Sequence, residues 1–313
     1  MLRYTSDMGG SVYELAELNS PEIDSLDREN TLFMMALSPL EVHGPHLPLG
    51  TDVRVAEEVR DRAFRKLRER RPELDFVIIP SFFMGSDTIP DSIDVNSRAV
   101  YYLLKATAEF LADRGFHYLL VTDNHGGPRH HIAIAKAVRR LYFRRGFHIV
   151  APFLPFFRRM YELDPELVRA AGSGRGACGD IEDSHAGLNE TSIMLAIEPE
   201  KVGVAWSGLA RTALNARAWT ALLLGAVGRV LGAMGLHEMA KDVAYVGVVL
   251  SWLTEKQPPT YIGEPCAATP EAGERMLDAH TDEAVARVEA ALEGRAPYYT
   301  PLGWTLRLIE PSR

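Results

Sequence analysis

Short, wholly apolar runs alternate with longer amphipathic ones along the first half of the chain. The run TLFMMALSP, residues 31–39, stops at a proline and predicts a buried strand. DVRVAEEVRDRAFRKLRERR follows, with Val55, Val59, Ala63 and Leu67 at helical spacing and charges between them. LDFVIIP predicts a second strand, SRAVYYLLKATAEFLADRG a helix stopped by Gly115, and FHYLLVTDN a third strand. PRHHIAIAKAVRRLYFRRG predicts a third helix, with Pro128 suited to its first turn, and FHIVAPFL a fourth strand. Strand then helix, repeated, predicts an α/β fold in which right-handed crossovers build a mostly parallel sheet covered on both faces.

The second half is less regular. DPELVRAAGSGRGACGDIEDSHAGLNE is glycine-rich and polar and predicts a long loop region, which in a compact domain is usually functional or mobile. ETSIMLAI opens a helix or buried segment, NARAWTALLLGAVGRVLGAMG predicts a strong helix, and DVAYVGVVLS a strand. TPEAGERMLDAHTDEAVARVEAALEG predicts a long amphipathic helix. No repeat, low-complexity tract or linker interrupts the pattern, so one domain over residues 1–313 is the simplest organisation.

Composition narrows the function classes. With 313 residues, 47% of them hydrophobic, the chain can bury a large core. Its 42 acidic side chains outnumber 34 Lys plus Arg, which removes a global basic field for nucleic acid; RKLRERR reads as the solvated end of a helix. Two cysteines do not make a disulfide framework, so a reducing, cytoplasmic setting is expected. The N-terminal stretch lacks the apolar core of a signal peptide, and Arg229 interrupts the most hydrophobic window, WTALLLGAVGRVLGAMGL. That window predicts a buried helix and not a membrane span.

Three polar clusters stand out. In SPLEVHGPHLPLGTD, Glu41 and His43 are one residue apart, so in an extended segment they face a common point. Asp52 ends the loop and is placed to cap the next helix. His125 follows the third strand in TDNHGGP, where paired glycines let backbone approach a ligand closely. DSHAGLNETS supplies His185 and Glu190. Taken singly, such histidines are ordinary loop residues, Asp52 is a helix cap, and Glu190 opens a helix in accord with its dipole. Together, the first two clusters fall beyond the carboxyl ends of predicted strands, where ligands bind in such sheets. Carboxylates plus imidazoles without thiolates suit Zn, Mn, Fe or Ni at a hydrolytic site, and an aspartate can bridge two ions.

EVHGPHLPLGTD resembles the signature of the creatininase (creatinine amidohydrolase) family. NHGG resembles that family's Asn-Gly-His-Gly-Gly segment, with Asp123–Asn124–His125 in altered order, and HAGLNETSIMLAI resembles its third motif. The upstream LAELNSPEIDSL and the order of the motifs also fit, so the resemblance covers roughly residues 10–240. It implies a three-layer α/β/α sandwich, two divalent metal ions per chain (Zn, Mn or Fe), and a homo-oligomer, often a hexamer. The implied reaction is hydrolysis of a C–N bond in a small-molecule amide, cyclic amide or formamide by a metal-bound hydroxide. Carried over by motif, Glu41, His43, Asp52 and His125 are metal ligands with Asp52 bridging. His185 is the general acid/base or a substrate contact, and Glu190 a further site carboxylate and candidate ligand.

The chain also departs from creatininase itself, which has an aromatic residue and then a ligand glutamate after the second-motif histidine, and a tryptophan four residues before the third-motif histidine. Here those positions are Gly126, Gly127 and Ile181, and MGSDTIPDSIDV lacks the usual Glu-His pair. The glycine pair is instead like relatives that deformylate a pyrimidine nucleotide or cleave a modified peptide in redox-cofactor maturation. The departures predict less stacking surface, a substrate other than creatinine, and Glu190 in place of the absent glutamate. The other expectation they leave is a non-catalytic metal-binding paralogue or scaffold. No Gly-x-Ser-x-Gly is present, GSGRGACG lacks Rossmann spacing, and nothing near Cys178 suggests an activated thiol.

Overall fold

The computed structural model describes residues 10–214, 219–253, 255 and 258–304. In chain order its elements are β1 (Val12–Glu14), α1 (Ser20–Asp24), β2 (Thr31–Ser38), α2 (Thr51–Arg70), β3 (Asp75–Ile78), β4 (Phe82–Phe83), α3 (Ser97–Ala112) and β5 (Tyr118–Thr122). Then come α4 (Pro128–Arg145), β6 (His148–Val150), α5 (Phe153–Tyr161), α6 (Pro165–Ala171), α7 (Leu188–Ile197), α8 (Trp219–Ala233), α9 (His237–Leu253) and α10 (Pro270–Leu292). The sheet runs β1-β3-β2-β5-β6, every pairing is parallel, and β4 adds to the end of β2.

Strand β2 shows why the sheet is covered on both sides. All eight of its residues are buried, and alternate side chains must leave by opposite faces. Leu32 and Met34 join one apolar core with Val55, Val59, Ala63 and Leu67 of α2 and Leu277, Val285 and Val288 of α10. Phe33, Met35 and Leu37 join the other, with Val100 and Leu104 of α3 and Val138 and Leu141 of α4. A wholly buried Leu or Phe contributes about 1.5–3 kcal/mol, so both layers hold the strand in register. The predicted three-layer α/β/α arrangement is therefore the observed one.

Strand order also places the site. The chain passes from β2 to β3 on one side, then crosses back to β5 on the other. The order therefore reverses between β2 and β5, and the crevice beyond their carboxyl ends is the place for a ligand in an open α/β sheet.

Four local expectations are corrected. Residues 242–251 are not a strand: they lie within α9, and Tyr245, Val248, Val249 and Trp252 recur at helical spacing. Their β-branched content suggested a strand, but the apolar period is that of a helix. The predicted fourth strand covers only β6; Pro152 ends it and α5 begins at Phe153. Inside the predicted loop, Asp164 accepts a bond from Leu167 N at 3.0 Å and caps α6, which Gly172 closes in the left-handed conformation. The helix predicted over 215–235 is observed as α8, its residues 215–218 lying outside the described ones, but it is not buried. It packs on α9 and leaves Trp219, Leu222, Leu223, Val230 and Met234 exposed. Among the described residues no helix is long and apolar enough to cross a membrane.

Candidate metal centre and cleft

All the polar clusters meet in the crevice beyond β2 and β5. Glu41 and His43 stand on the loop after β2, Asp52 in the first turn of α2, His125 on the loop between β5 and α4, His185 on the loop before α7 and Glu190 in the first turn of α7. Asp52 is not the helix cap. Gly50 holds that position, and the Asp52 side chain turns into the crevice, 1% exposed.

The carboxylate of Asp52 faces two ways. Its Oδ1 lies 3.4 Å from His43 Nε2, and its Oδ2 lies 3.6 Å from His125 Nδ1. On the His125 side, Glu41 Oε2 is 3.0 Å from the same Nδ1. On the His43 side, Glu190 Oε2 is 3.7 Å from Nε2. The ligand atoms of Glu41, Asp52 and His125 all lie within 4.8 Å of one another, as do those of His43, Asp52 and Glu190, and those of Glu41, His43 and His185.

Each of three imidazoles is anchored by one nitrogen to a backbone carbonyl. His43 Nδ1 donates to Glu41 O at 2.9 Å, His125 Nε2 to Ser86 O at 3.0 Å, and His185 Nε2 to Val42 O at 2.7 Å. That leaves the opposite nitrogen of each ring for the crevice, which is how metal-ligating histidines are usually oriented. The loop MGSDTIPDSIDV supplies more of this support: Ile89 N donates to Glu41 Oε1 at 2.8 Å and Val42 N to Ser92 Oγ at 2.9 Å. Ala186 holds φ 48° beside His185, and its N–H donates to Glu190 Oε2 at 2.6 Å.

The electrostatics call for a cation. Burial pushes the Asp52 carboxyl up, but the nearby imidazoles of His43 and His125 outweigh it and leave it well below its ordinary value. Burial likewise raises Glu41, and His125 and His185 bring it back below the usual range. Burial disfavours a charged His43, yet Asp52 and Glu190 raise it to about 10. His125 is raised well above its ordinary value, Glu41 and Asp52 overcoming burial. Glu190 is pushed up, first by burial and then by Asp52, with His43 opposing. The carboxylates thus take positive charge from imidazoles. Nonetheless His43 Nε2 and Asp52 Oδ2 are buried without a hydrogen-bond partner. One of these orphaned ligand atoms serves the His43 side of the Asp52 carboxylate and the other the His125 side, and such atoms among hard oxygen and imidazole groups fit divalent ions.

Beside the centre opens a cleft. Phe157, Tyr245 and Trp252 line it, and none of the motifs points to them. A Cβ at Gly126 would lie 2.8 Å from the Phe157 ring, so glycine there lets α5 bring that ring to the site. Tyr245 donates to Gly126 O at 3.0 Å, and the Trp252 ring is 5.4 Å from His185. Where Gly126 and Ile181 bring no aromatic ring, α5 and α9 place aromatic side chains along the cleft. The helical spacing of residues 245, 248, 249 and 252 was the available signal. Cys178 is buried, and burial pushes its thiol up to about 11, the opposite of an activated nucleophile.

Residues 16–288 match the creatininase (creatinine amidohydrolase) family. The chain belongs to that family. It is 28% identical over 200 residues to a mycofactocin precursor peptide peptidase of Mycobacterium ulcerans (strain Agy99), covering 60% of this chain and 67% of that one. Among solved structures, a manganese creatininase superposes with a TM-score of 0.60 at 16% identity, covering 89% of this chain and 98% of that one. A Zn–Zn form of a mutant creatininase gives 0.56 at 18%, with the same coverage. The creatininase fold is thus shared, and the chain is a creatininase-family hydrolase carrying clusters able to bind metal.

Proposed function

We propose that this creatininase-family hydrolase is a two-metal amidohydrolase whose substrate is an amide other than creatinine. The observation that carries the reading is the Asp52 carboxylate, buried and turned toward two ligand clusters at once. Glu41, Asp52 and His125 would hold one divalent ion, and His43, Asp52 and Glu190 the other. Such ions lower the pKa of a bound water from about 15.7 toward about 7 and polarise a carbonyl, which makes a nucleophile available without serine or cysteine. The protein's own part is to orient the amide and move a proton. Water adds to the carbonyl carbon, the C–N bond breaks, and the leaving nitrogen must be protonated. His185 Nε2 is tied to Val42 O, which leaves Nδ1 to accept the water proton and pass it to nitrogen.

The cleft supports a substrate with an apolar body. Phe157, Tyr245 and Trp252 form a broad aromatic wall, and Val248 and Val249 extend it. The peptidase relative favours a peptide-type amide, and the metals of its structural neighbours favour Mn or Zn. Assayed with Mn²⁺ or Zn²⁺ on a panel of peptide amides, formamides and creatinine, the protein should turn over an amide with an apolar or aromatic side chain. Creatinine should not be hydrolysed at an ordinary enzymatic rate. Creatinine turnover would refute the substrate reading, and no metal-dependent turnover anywhere in the panel would favour a metal-binding scaffold.

Glu190 is the residue on which the second ion depends. Glu190→Gln keeps the side chain's shape but removes the charge that balances a cation. Elemental analysis should then show one ion per chain selectively lost or weakened. Unchanged metal content and activity would leave Glu190 as a helix-start residue only.

A further inference from the structure

The motifs give Asn124 no role, yet the fold sets its side chain inside the centre. It is 8% exposed and lines the cleft. Its Nδ2 donates to Asp52 Oδ1 at 3.2 Å and to Glu190 Oε1 at 3.1 Å. Oδ1 is the Asp52 oxygen that faces His43, so the Asn124 amide bonds oxygens of the His43 cluster, from Asp52 and Glu190.

Its own backbone is firmly placed. Asn124 N donates to Asp123 Oδ1 at 2.8 Å and to Ser38 Oγ at 3.1 Å. The Asp123 carboxylate in turn accepts from Ser38 Oγ at 2.5 Å and lies 3.1 Å from His130 Nε2. A buried carboxylate thus clamps the loop, and the loop presents the Asn124 amide at a fixed point.

The need for such an amide follows from Gly127. A Cβ there would lie 2.4 Å from His125 Nε2 and 2.4 Å from Ser86 O. This backbone has no room for a glutamate at position 127, so the carboxylate for the His43 cluster has to come from α7. Glu190 then meets Asp52 as a like charge in a buried space, an arrangement that costs several kcal/mol unless donors or cations intervene. The Asn124 amide lies between them with a hydrogen for each.

We propose that Asn124 is a positioning residue that holds Glu190 against Asp52 and so completes the His43 cluster. This rests on the two-ion reading above. The test titrates Mn²⁺ into metal-free full-length protein and follows heat and melting temperature for wild type, Asn124→Ala and Asn124→Asp. Wild type should bind two ions per chain. In Asn124→Ala one affinity should fall roughly 10–100-fold, as for other groups that orient a ligand, while the other stays unchanged. Hydrolysis of a responsive amide should return at saturating Mn²⁺, which a residue that merely packs the loop would not show.

Asn124→Asp keeps the size and removes the donors. The added charge should lower the melting temperature without metal, and Mn²⁺ should raise it by more than it raises that of wild type. Both affinities unchanged in Asn124→Ala, both falling equally, or no larger Mn²⁺ response in Asn124→Asp would overturn the proposal. Fewer than two ions in wild type would remove the two-ion reading, and this inference with it.

Discussion

Asp52→Ala is expected to empty both halves of the metal centre in one substitution. The two carboxylate oxygens face different histidines, at 3.4 Å and 3.6 Å, and the side chain is almost wholly buried. Without it, the Glu41–His125 pair and the His43–Glu190 pair each keep two ligands in place of three. Neither pair then balances a divalent charge in a low-dielectric pocket. Metal content measured after dialysis should drop from about two ions per chain to near zero, and hydrolysis should fall below detection. Circular dichroism on the same sample checks that α2 has survived, since Asp52 also lies in its first turn. A variant that kept full occupancy would show that the two clusters do not share this carboxylate.

His185→Asn should separate proton transfer from metal binding. The His185 ring lies 4.4 Å from that of His43 and 5.4 Å from that of Trp252, at the boundary between the centre and the aromatic wall. On the two-ion reading, a group there would meet the scissile amide with its free nitrogen. The variant should keep both ions and its melting temperature, yet lose roughly 10²–10⁴ in rate, the usual contribution of a general acid/base. Because the ring also falls within one cluster with Glu41 and His43, loss of metal would make it a ligand. An unaltered rate would assign the proton to another group.

Much of this was legible in the sequence, for identifiable reasons. Buried parallel strands are continuous apolar runs, so β2 and β5 declare themselves, and the polar residues after them fall where ligands bind. Glu41, His43, Asp52 and His125 all follow from that rule plus motif spacing. The parts that escaped depend on contacts between segments distant in the chain. α9 was read as a strand because Val and Tyr favour strands in isolation, whereas packing on α8 and the cleft selects the helical period. The aromatic wall escaped for the same reason: Phe157 reaches the site only because Gly126 has no side chain. Asn124 escaped because an amide carries no charge and its motif assigned it no role, and only the fold brings Glu190 beside it.

The close approach of α7 and α10 has a consequence for timing. Glu41, His43, Asp52 and His125 stand on neighbouring loops and one helix in the first half of the chain. Glu190 comes later, on a helix held down by α10, and Gly273 of α10 lies so near that a Cβ would meet Ser192 O at 2.0 Å. On the two-ion reading, a chain whose α7 has not docked on α10 would carry half a centre. The Glu41–Asp52–His125 half draws only on segments before α5, whereas the His43 half also needs Glu190 from α7, which packs on α10. On the two-ion reading, uptake of the second ion becomes a molecular time stamp, reached only once α7 and α10 have docked.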